Sequence, residues 1–343
     1  MNKKEKQSAK LPDKTDTSNK KTSLGKLKKT AGVFFLLLFI LVCFFGVFLF
    51  FGKGKEQKKP YRLVQPVEKQ TAASSFCAEY WQEDKSEKSL EPVLFVTPKN
   101  TAELEKLFAD VHIQDDEALQ SLPRIYISAF PKDFAQKGNK DLFIKALLPL
   151  ILKNNEIILT RRIQLQPLLS KAERGLFLTP EEECRLQQVF DEYDLIGTIQ
   201  QKTNDLSQMM LPVSPALALA QAAYASDFGK KEQIRVFNQY AWTLPPDEKW
   251  EQIPYQNLFD AVKGYALELN SQPTYFKWRQ YRTQLFFTKP LNFLNGFLFA
   301  KRMGQYMPGK PSYVWHLLNL FKWHQLHRYD TASLAIKEDF SKK

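Results

Sequence analysis

Aromatic side chains that could bind a carbohydrate are concentrated between residues 240 and 278. They are Tyr240, Trp242, Trp250, Tyr255, Tyr275 and Trp278. Aromatic faces stack on sugar rings, and the polar edges of tyrosine and tryptophan donate hydrogen bonds. Large aromatic residues also fill protein cores. The pattern therefore predicts either a carbohydrate-binding groove or part of a core.

Carboxylates in and beside this stretch could act on a bound sugar, namely Asp227, Glu232 and Glu251. Hydrolysis of a glycosidic bond needs a proton donor at the leaving oxygen and a group that stabilises or attacks the oxocarbenium-like centre.

The sequence has no serine or cysteine nucleophile signature. His324 and His327 share a face of the last predicted helix, but two histidines without a third ligand make a poor metal site. We expect neither a metal nor a cofactor.

A short helix between Leu211 and Gly229 is the element expected to position this chemistry. Ser214 is a good N-cap, and Pro215 suits the first helical position. The interior is rich in alanine and leucine, which have high helix propensity. Gly229 is expected to close the helix in a left-handed conformation. Because the side chains are small, neighbouring backbones can approach closely, and we expect a central, buried helix.

The remaining pattern predicts a mostly α (α+β) fold with a small α/β lead-in. We expect strands at Val93–Val96 and Arg124–Ala129, and between them a helix that begins with an Asn100–Glu103 capping box and runs through Ala109. Another helix is expected to end at about Asp194. Thr179 is its cap, Pro180 is its first residue, and Glu182 completes its capping box. Further helices are expected at Lys140–Arg162, Val262–Asn270, Thr274–Leu285, Leu294–Tyr306 and Tyr313–His327, and Asp205–Leu211 is expected to lead into the Ser214 helix. Pro149 should kink or break the Lys140–Arg162 helix, and a short β element fits between Trp242 and Tyr255.

The net charge of +12 is confined to the N-terminal part of the chain. Residues 1–30 carry +7 and residues 53–62 carry +4, which leaves +1 for residues 63–343. A nucleic-acid-binding domain concentrates basic residues on a folded surface. The charge distribution therefore argues against nucleic acid as a partner.

Residues 31–52 form an uncharged apolar run that is long enough to cross a bilayer. A cleaved signal peptide is the alternative, but the leader is long and no small-residue cleavage site follows, so we expect an uncleaved single-pass anchor. Five lysines precede the run within fifteen residues, and five basic residues follow it, so the positive-inside rule is nearly balanced. The longer basic tail favours a cytoplasmic N-terminus.

The three cysteines are Cys43 in the predicted anchor, and Cys77 and Cys184 beyond it. A disulfide between Cys77 and Cys184 would form only in an oxidising compartment. No spacing argues for this pairing, so the sequence leaves it open.

Five separated blocks resemble the Bax-like glucosaminidase family, bacterial peptidoglycan hydrolases related to the muramidase-like domain of FlgJ and distinct from the apoptotic protein. The strongest is PALALAQAAYASDFG at Pro215–Gly229, where the family has roughly P-S-L-A-L-A-Q-A-A-x-E-S-x-W-G. The others are LPRIYISAFPKD at Leu122–Asp133, KDLFIKALLPLILKNNE at Lys140–Glu156, TYFKWRQYR at Thr274–Arg282, and Tyr313–Asp330. The likeness covers residues 92–335, in order.

The resemblance implies a lysozyme-like fold, a location outside the bacterial inner membrane, and cleavage of peptidoglycan strands after N-acetylglucosamine. It also implies that the catalytic acid is a glutamate at the position of Ala225, which has no proton to donate. Asp227 would point away from this face of a helix. Glu232 and Glu251 are the substitutes that remain. Loss of the acid alone should lower the rate by about 10²–10⁴-fold.

The family's groove is better preserved than its acid. Its motif G-N-x-L-F-G-Q-W corresponds to Phe237–Trp242, in which Asn238 is retained, Tyr240 replaces phenylalanine and Ala241 replaces glycine. The resemblance therefore implies substrate-binding roles for Asn238, Tyr240 and Trp242, and for Tyr275 and Trp278 in an intact block. Glu156, Arg279 and Arg282 are expected to be structural, the arginines as ion-pair partners.

The sequence thus predicts a cytoplasmic basic tail (1–30), a transmembrane anchor (31–52), a polar stalk (53–91), an α/β lead-in with a helical subdomain (92–210), a glucosaminidase-like domain (211–335) and a C-terminal tail (336–343). The expected function is binding of peptidoglycan strands or of a cell-envelope protein in the periplasm, with hydrolase activity lost. Two alternatives remain, an active N-acetylglucosaminidase that uses a displaced carboxylate, and a membrane-anchored scaffold without affinity for glycans.

Overall fold

The structure is a computed structural model of the chain, and it describes Cys77 and residues 94–111, 122–231, 255–288, 294–306 and 311–335. The chain divides into two compact units, Met1–Arg62 and Leu63–Lys343, and all the described residues belong to the second. The predicted tail, anchor and C-terminal tail, and the predicted stalk apart from Cys77, lie outside the described residues. Within the described part of the chain, no helix is long and apolar enough to cross a membrane.

The described residues are mostly helical, which confirms the predicted fold class at that level. In chain order the elements are β1 (Phe95–Val96), α1 (Thr101–Leu107), β2 (Tyr126–Ile127), α2 (Phe134–Lys137), α3 (Lys140–Glu173), α4 (Pro180–Glu192), α5 (Ile199–Met209), α6 (Pro215–Ser226), α7 (Leu258–Ser271), a first 3₁₀ segment (Pro273–Tyr275), α8 (Phe276–Thr288), α9 (Gly296–Tyr306), α10 (Pro311–His324) and a second 3₁₀ segment (Leu326–Thr331).

The predicted α/β lead-in is present, with shorter strands than expected. β1 and β2 pair in parallel, with Phe95 opposite Tyr126. Asn100 caps α1 by accepting a hydrogen bond from the Glu103 backbone N–H at 2.9 Å. The Glu103 carboxylate accepts from the backbone N–H of Lys99 at 2.6 Å, one residue before the cap. The cap was predictable because it depends only on neighbouring residues.

Helix α3 is not broken at Pro149, one of the two outcomes predicted there. It is a single helix of 34 residues that contains both Pro149 and Pro167. An interior proline costs roughly 3 kcal/mol through a lost hydrogen bond and a steric clash. The N-terminal half of α3 is buried on most sides, including Pro149 itself, and this burial offsets the cost.

Two hydrophobic cores lie along α3. The larger core includes apolar residues of α3 between Leu142 and Ile158 and the inward-facing apolar residues of α6, α7 and α10. The smaller core includes Leu165–Ala172 of α3 and packs against α4 and α5. Thr179 forms the predicted capping box of α4. Thr198 forms an equivalent one for α5, a helix that the sequence analysis did not predict.

Cys77 and Cys184 form a disulfide, the pairing that the sequence left open. Their Cα atoms are 5.4 Å apart, and the sequence separation is 107 residues. The bond links the segment before β1 to helix α4. A disulfide persists in oxidising compartments and is rare in the cytosol of mesophiles, so this unit is suited to a location outside the cytoplasm.

Loss of this disulfide should destabilise the protein. In chemical denaturation, we expect Cys184→Ser to lower the free energy of unfolding by about 2–5 kcal/mol, because the long loop is no longer closed in the unfolded chain. Cys43→Ser is the control and should have no such effect. Reductant should destabilise the wild type and leave Cys184→Ser unchanged; a wild type that is insensitive to reductant would contradict the assignment.

Candidate functional site

Helix α6 is the central element that the sequence analysis predicted. Ser214 caps it by accepting a hydrogen bond from the Leu217 backbone N–H at 2.9 Å, and Pro215 is its first residue. Every residue of the helix except Tyr224 is buried. It packs against α3, α9, α10 and the second 3₁₀ segment. Small side chains let these four elements approach one helix.

The end of α6 differs from the prediction. The helix stops at Ser226, and the left-handed cap is Asp227 (φ 48°), followed by Phe228 (54°) and Gly229 (80°). The Ser226 hydroxyl donates to the Ala222 carbonyl at 2.7 Å and accepts from the Gly229 N–H at 2.9 Å. A Cβ on Gly229 would lie 2.8 Å from the Phe134 ring. Gly229 is therefore needed for the close approach after the helix, and not as its cap.

Asp330 fixes the other end of α6. Its carboxylate accepts hydrogen bonds from the Ser214 hydroxyl at 2.6 Å and from the Ala216 N–H at 3.2 Å. It also accepts from the Gly296 N–H, at the start of α9, at 2.6 Å. One carboxylate thus meets the positive N-termini of two helices. Removal from water raises the pKa of Asp330 to about 7, although these three hydrogen bonds act to lower it.

Ala225 lies in the last turn of α6 with 6% of its surface exposed. Its neighbours in sequence pack against α3 and α10. Phe228 contacts Phe143 and His324, with ring centroids 5.8 and 5.0 Å away, and the Lys140 ammonium lies 5.2 Å from the Phe228 centroid. Burial and the charge of Lys140 lower the pKa of His324. The position that the resemblance assigns to the acid is therefore inside a packed junction and carries only a methyl group.

A row of aromatic rings begins at Tyr224, the residue before Ala225 in sequence, and continues to His316 and Trp315 of α10. The centroids of Tyr224 and His316 are 5.6 Å apart, and those of His316 and Trp315 are 4.9 Å apart. Trp315 is 57% exposed, and His316 is also exposed. The sequence analysis did not predict this aromatic row. The only sequence signal for it was an apolar residue on the outer face of a predicted helix.

The predicted substitute acids are not brought to Ala225 within the described residues. Asp227 lies beyond the helix end, and its side chain is exposed. Glu232 and Glu251 lie outside the described residues, as do Asn238, Tyr240 and Trp242. Their roles remain predictions.

Tyr275 and Trp278, the two described aromatic residues to which the resemblance gives substrate-binding roles, are core residues. Tyr275 is 1% exposed and Trp278 is 0% exposed. Trp278 packs against Tyr275 and Phe299, at centroid distances of 6.3 and 5.4 Å. Neither ring presents a free face for a sugar, so the alternative of core aromatics describes both.

Glu156 is structural, as predicted, since it accepts two hydrogen bonds from Arg124 at 2.8 and 3.0 Å. The prediction for Arg279 and Arg282 is wrong. Among the described residues, neither makes an ion pair with a carboxylate.

A buried polar chain crosses the middle of α6. The Tyr265 hydroxyl donates to Gln221 Oε1 at 2.7 Å, and Gln221 Nε2 donates to the Tyr313 hydroxyl at 2.6 Å. Gln221 is 0% exposed. Burial raises the pKa of both tyrosines. The chain fixes α6 against α7 and α10 and so sets the rotation that places Tyr224 and Ala225.

Comparisons with known proteins add no assignment, because no protein-family model, no curated protein and no solved structure matches the chain. In the described part of the chain, no group of three or more His, Cys, Asp or Glu side chains is arranged to hold a metal ion. The chemistry of the site therefore has to be argued from its own residues.

Asp330 should make the stability of the protein depend on pH. Its pKa is raised from 3.8 to about 7 by folding, so the native state binds more protons between these values. The free energy of unfolding should therefore contain a contribution that falls as pH rises from 4 to 7. Denaturation series across this range should show the slope in the wild type and its loss in Asp330→Asn.

Asp330→Asn should also lower stability by about 1–3 kcal/mol, because the amide turns a donor toward N–H groups that need an acceptor. Asp227→Asn is the matched control at the opposite end of α6, where asparagine suits the left-handed conformation. It should leave stability and the pH slope nearly unchanged. Equal losses in both variants would show that Asp330 has no special role.

Proposed function

We propose that this chain is a membrane-anchored periplasmic protein whose glucosaminidase-like domain binds peptidoglycan strands, or a cell-envelope partner, without cleaving them. The observation that carries the proposal is the end of α6, where the alanine at the family's acid position adjoins an exposed aromatic row. A general acid needs an ionisable proton within reach of the leaving oxygen. The Ala225 methyl group has none.

The aromatic row supports glycan binding at the same place. Trp315 and His316 are exposed and Tyr224 is half-buried, so their rings border one surface next to Ala225. Rings of this kind stack on sugars and exclude water from them. Binding needs only this surface, whereas hydrolysis also needs the acid.

The proposed location rests on two features. The apolar run at residues 31–52 has the length of a membrane span, and the polar N-terminal tail carries more basic charge than the segment after it. The Cys77–Cys184 disulfide suits the oxidising side of that membrane. We therefore propose a bacterial inner-membrane protein with its C-terminal domain in the periplasm.

The alternative is an active N-acetylglucosaminidase in which Glu232 or Glu251 supplies the proton. It predicts that full-length protein in detergent releases reducing ends from purified peptidoglycan, and that Glu232→Gln or Glu251→Gln abolishes the release. The proposal predicts no release by any of the three proteins. A scaffold without glycan affinity would neither bind nor cleave.

Binding should depend on the aromatic row. We expect full-length protein to co-sediment with purified peptidoglycan, and Trp315→Ala to weaken binding by about three- to tenfold, the value of one stacked ring. Trp323→Ala is the matched control, because Trp323 is 66% exposed on the same helix but is not part of the row. Equal binding by both variants and the wild type would place the glycan surface elsewhere; no sedimentation at all would favour the scaffold.

Restoring the acid should test the groove directly. If only the proton donor is missing, Ala225→Glu should release reducing ends from peptidoglycan at a rate about 10²–10⁴-fold above the wild type. Ala225→Gln has the same size without the acid, and it should remain inactive. Circular dichroism on both variants controls for folding, because position 225 is buried. Activity in the glutamine variant would show that the side chain at 225 is not the proton donor.

A further inference from the structure

Three arginines meet at the boundary between the two hydrophobic cores. Arg162 lies on α3 between Ile158 of the larger core and Leu165 of the smaller one. Arg279 and Arg282 lie one turn apart on α8. Arg282 is 0% exposed, Arg279 is 3% exposed, and Arg162 is half-buried. We refer to these three residues as the arginine cluster.

The hydrogen bonds of the arginine cluster all go to uncharged oxygens. Arg162 Nη1 donates to the carbonyls of Ser207 and Met210, at 2.6 and 3.2 Å. Arg279 Nη1 donates to the Gln272 carbonyl at 2.5 Å. Arg282 Nη2 donates to Asn270 Oδ1 at 2.6 Å and, more weakly, to the Gln208 carbonyl at 3.4 Å.

No carboxylate of the described residues forms an ion pair with the cluster. Burial lowers the pKa of both Arg279 and Arg162, and the charges of Asp205 and Glu173 oppose this shift only from beyond ion-pair distance. The contrast is Arg161, next to Arg162 in sequence, whose Nη1 lies 2.6 Å from the Glu192 carboxylate. The cluster therefore places three positive charges at a core boundary, and no carboxylate within the described ranges is in direct contact with them.

Buried donors at the cluster are also left unused. Arg282 Nε and Nη1 are buried and have no hydrogen-bond partner, and the same is true of Trp278 Nε1. The Arg282 guanidinium lies over the Trp278 ring, 4.9 Å from its centroid. An unpaired buried donor costs about 1–3 kcal/mol, and more if it is charged. One anion would supply both the missing negative charge and the missing hydrogen-bond acceptors.

The pKa values of the buried arginines also favour a bound anion. Burial lowers the pKa of Arg282 to about 9, and the neighbouring charges of Arg279 and Arg162 act in the same direction. Burial likewise lowers the pKa of Arg279 to about 10. Like charges in a region of low dielectric repel strongly unless an opposite charge lies between them.

We propose that the arginine cluster binds one small oxyanion of the phosphate or sulfate class, held by the unused donors of Arg282 with the charges of Arg279 and Arg162. Guanidinium groups offer planar forks of N–H donors that match the oxygens of such anions. The half-buried Arg162 gives the cluster its contact with solvent. The bound anion joins α3 to α8, and the same arginines donate to the carbonyls at the end of α5, so the site holds the smaller core against the larger one. This site is independent of the proposed glycan surface.

Thermal unfolding of the full-length protein in detergent tests the site with inorganic phosphate and sulfate as probes. At equal ionic strength, we expect about 10 mM of either anion to raise the wild-type Tm by about 3 °C over chloride, because a ligand of the native state stabilises it. Acetate, a planar carboxylate, should give a smaller shift. Calorimetric titration should give one anion per chain.

Matched variants separate specific binding from general salt effects. Arg162→Gln should lose the difference between phosphate and chloride, while Arg161→Gln, its ion-paired neighbour, should keep it. Arg279→Gln is a second cluster variant if the fully buried Arg282 cannot be replaced without unfolding. Equal shifts in Arg161→Gln and Arg162→Gln would overturn the proposal, since excluded salts stabilise any fold. It would also be overturned by a wild type that shows no shift and retains no anion in native mass spectrometry.

Discussion

The Asp330 carboxylate is the interaction on which the larger core depends. It accepts hydrogen bonds at the N-termini of α6 and α9 and is itself part of the second 3₁₀ segment. Three elements that are distant in sequence are thereby held at one point. Because α6 is short and made of small side chains, its register would otherwise be weakly fixed by packing. The anchor at its N-terminus and the Gln221 chain in its middle together determine where Ala225 lies.

The same helix shows how the proposed glycan binding could exist without catalysis. Its buried faces form the scaffold, and only Tyr224 is partly exposed. Substitution of a glutamate by alanine at position 225 would remove an acid without disturbing the caps or the Gln221 chain. The exposed rings of Trp315 and His316 belong to α10, so a glycan surface would not depend on the residue at 225.

Local features of the fold could be predicted from sequence, and long-range ones could not. The caps at Asn100, Thr179 and Ser214 depend on side chains within three residues, and the structure has all of them. Helix α3 continues through Pro149, where a kink or a break was predicted, because burial on most sides offsets the local cost of the proline. Whether a ring such as Trp278 or Trp315 faces a core or the solvent depends on packing between helices, which periodicity does not reveal. Whether Arg282 forms an ion pair likewise depends on how far the fold places carboxylates from it.

The disulfide stabilises the fold, and it also limits the length of chain between the predicted membrane anchor and the folded unit. If residues 31–52 cross the membrane, the chain between the bilayer and the covalent attachment at Cys77 is residues 53–76, which span at most about 80 Å when fully extended. Without the bond, the connection would continue to β1 and could span about 140 Å. The Cys77–Cys184 link therefore limits how far α4 can stand from the membrane surface. If the domain binds glycan strands as proposed, the redox state of Cys77 and Cys184 would limit how far from the membrane those strands can lie.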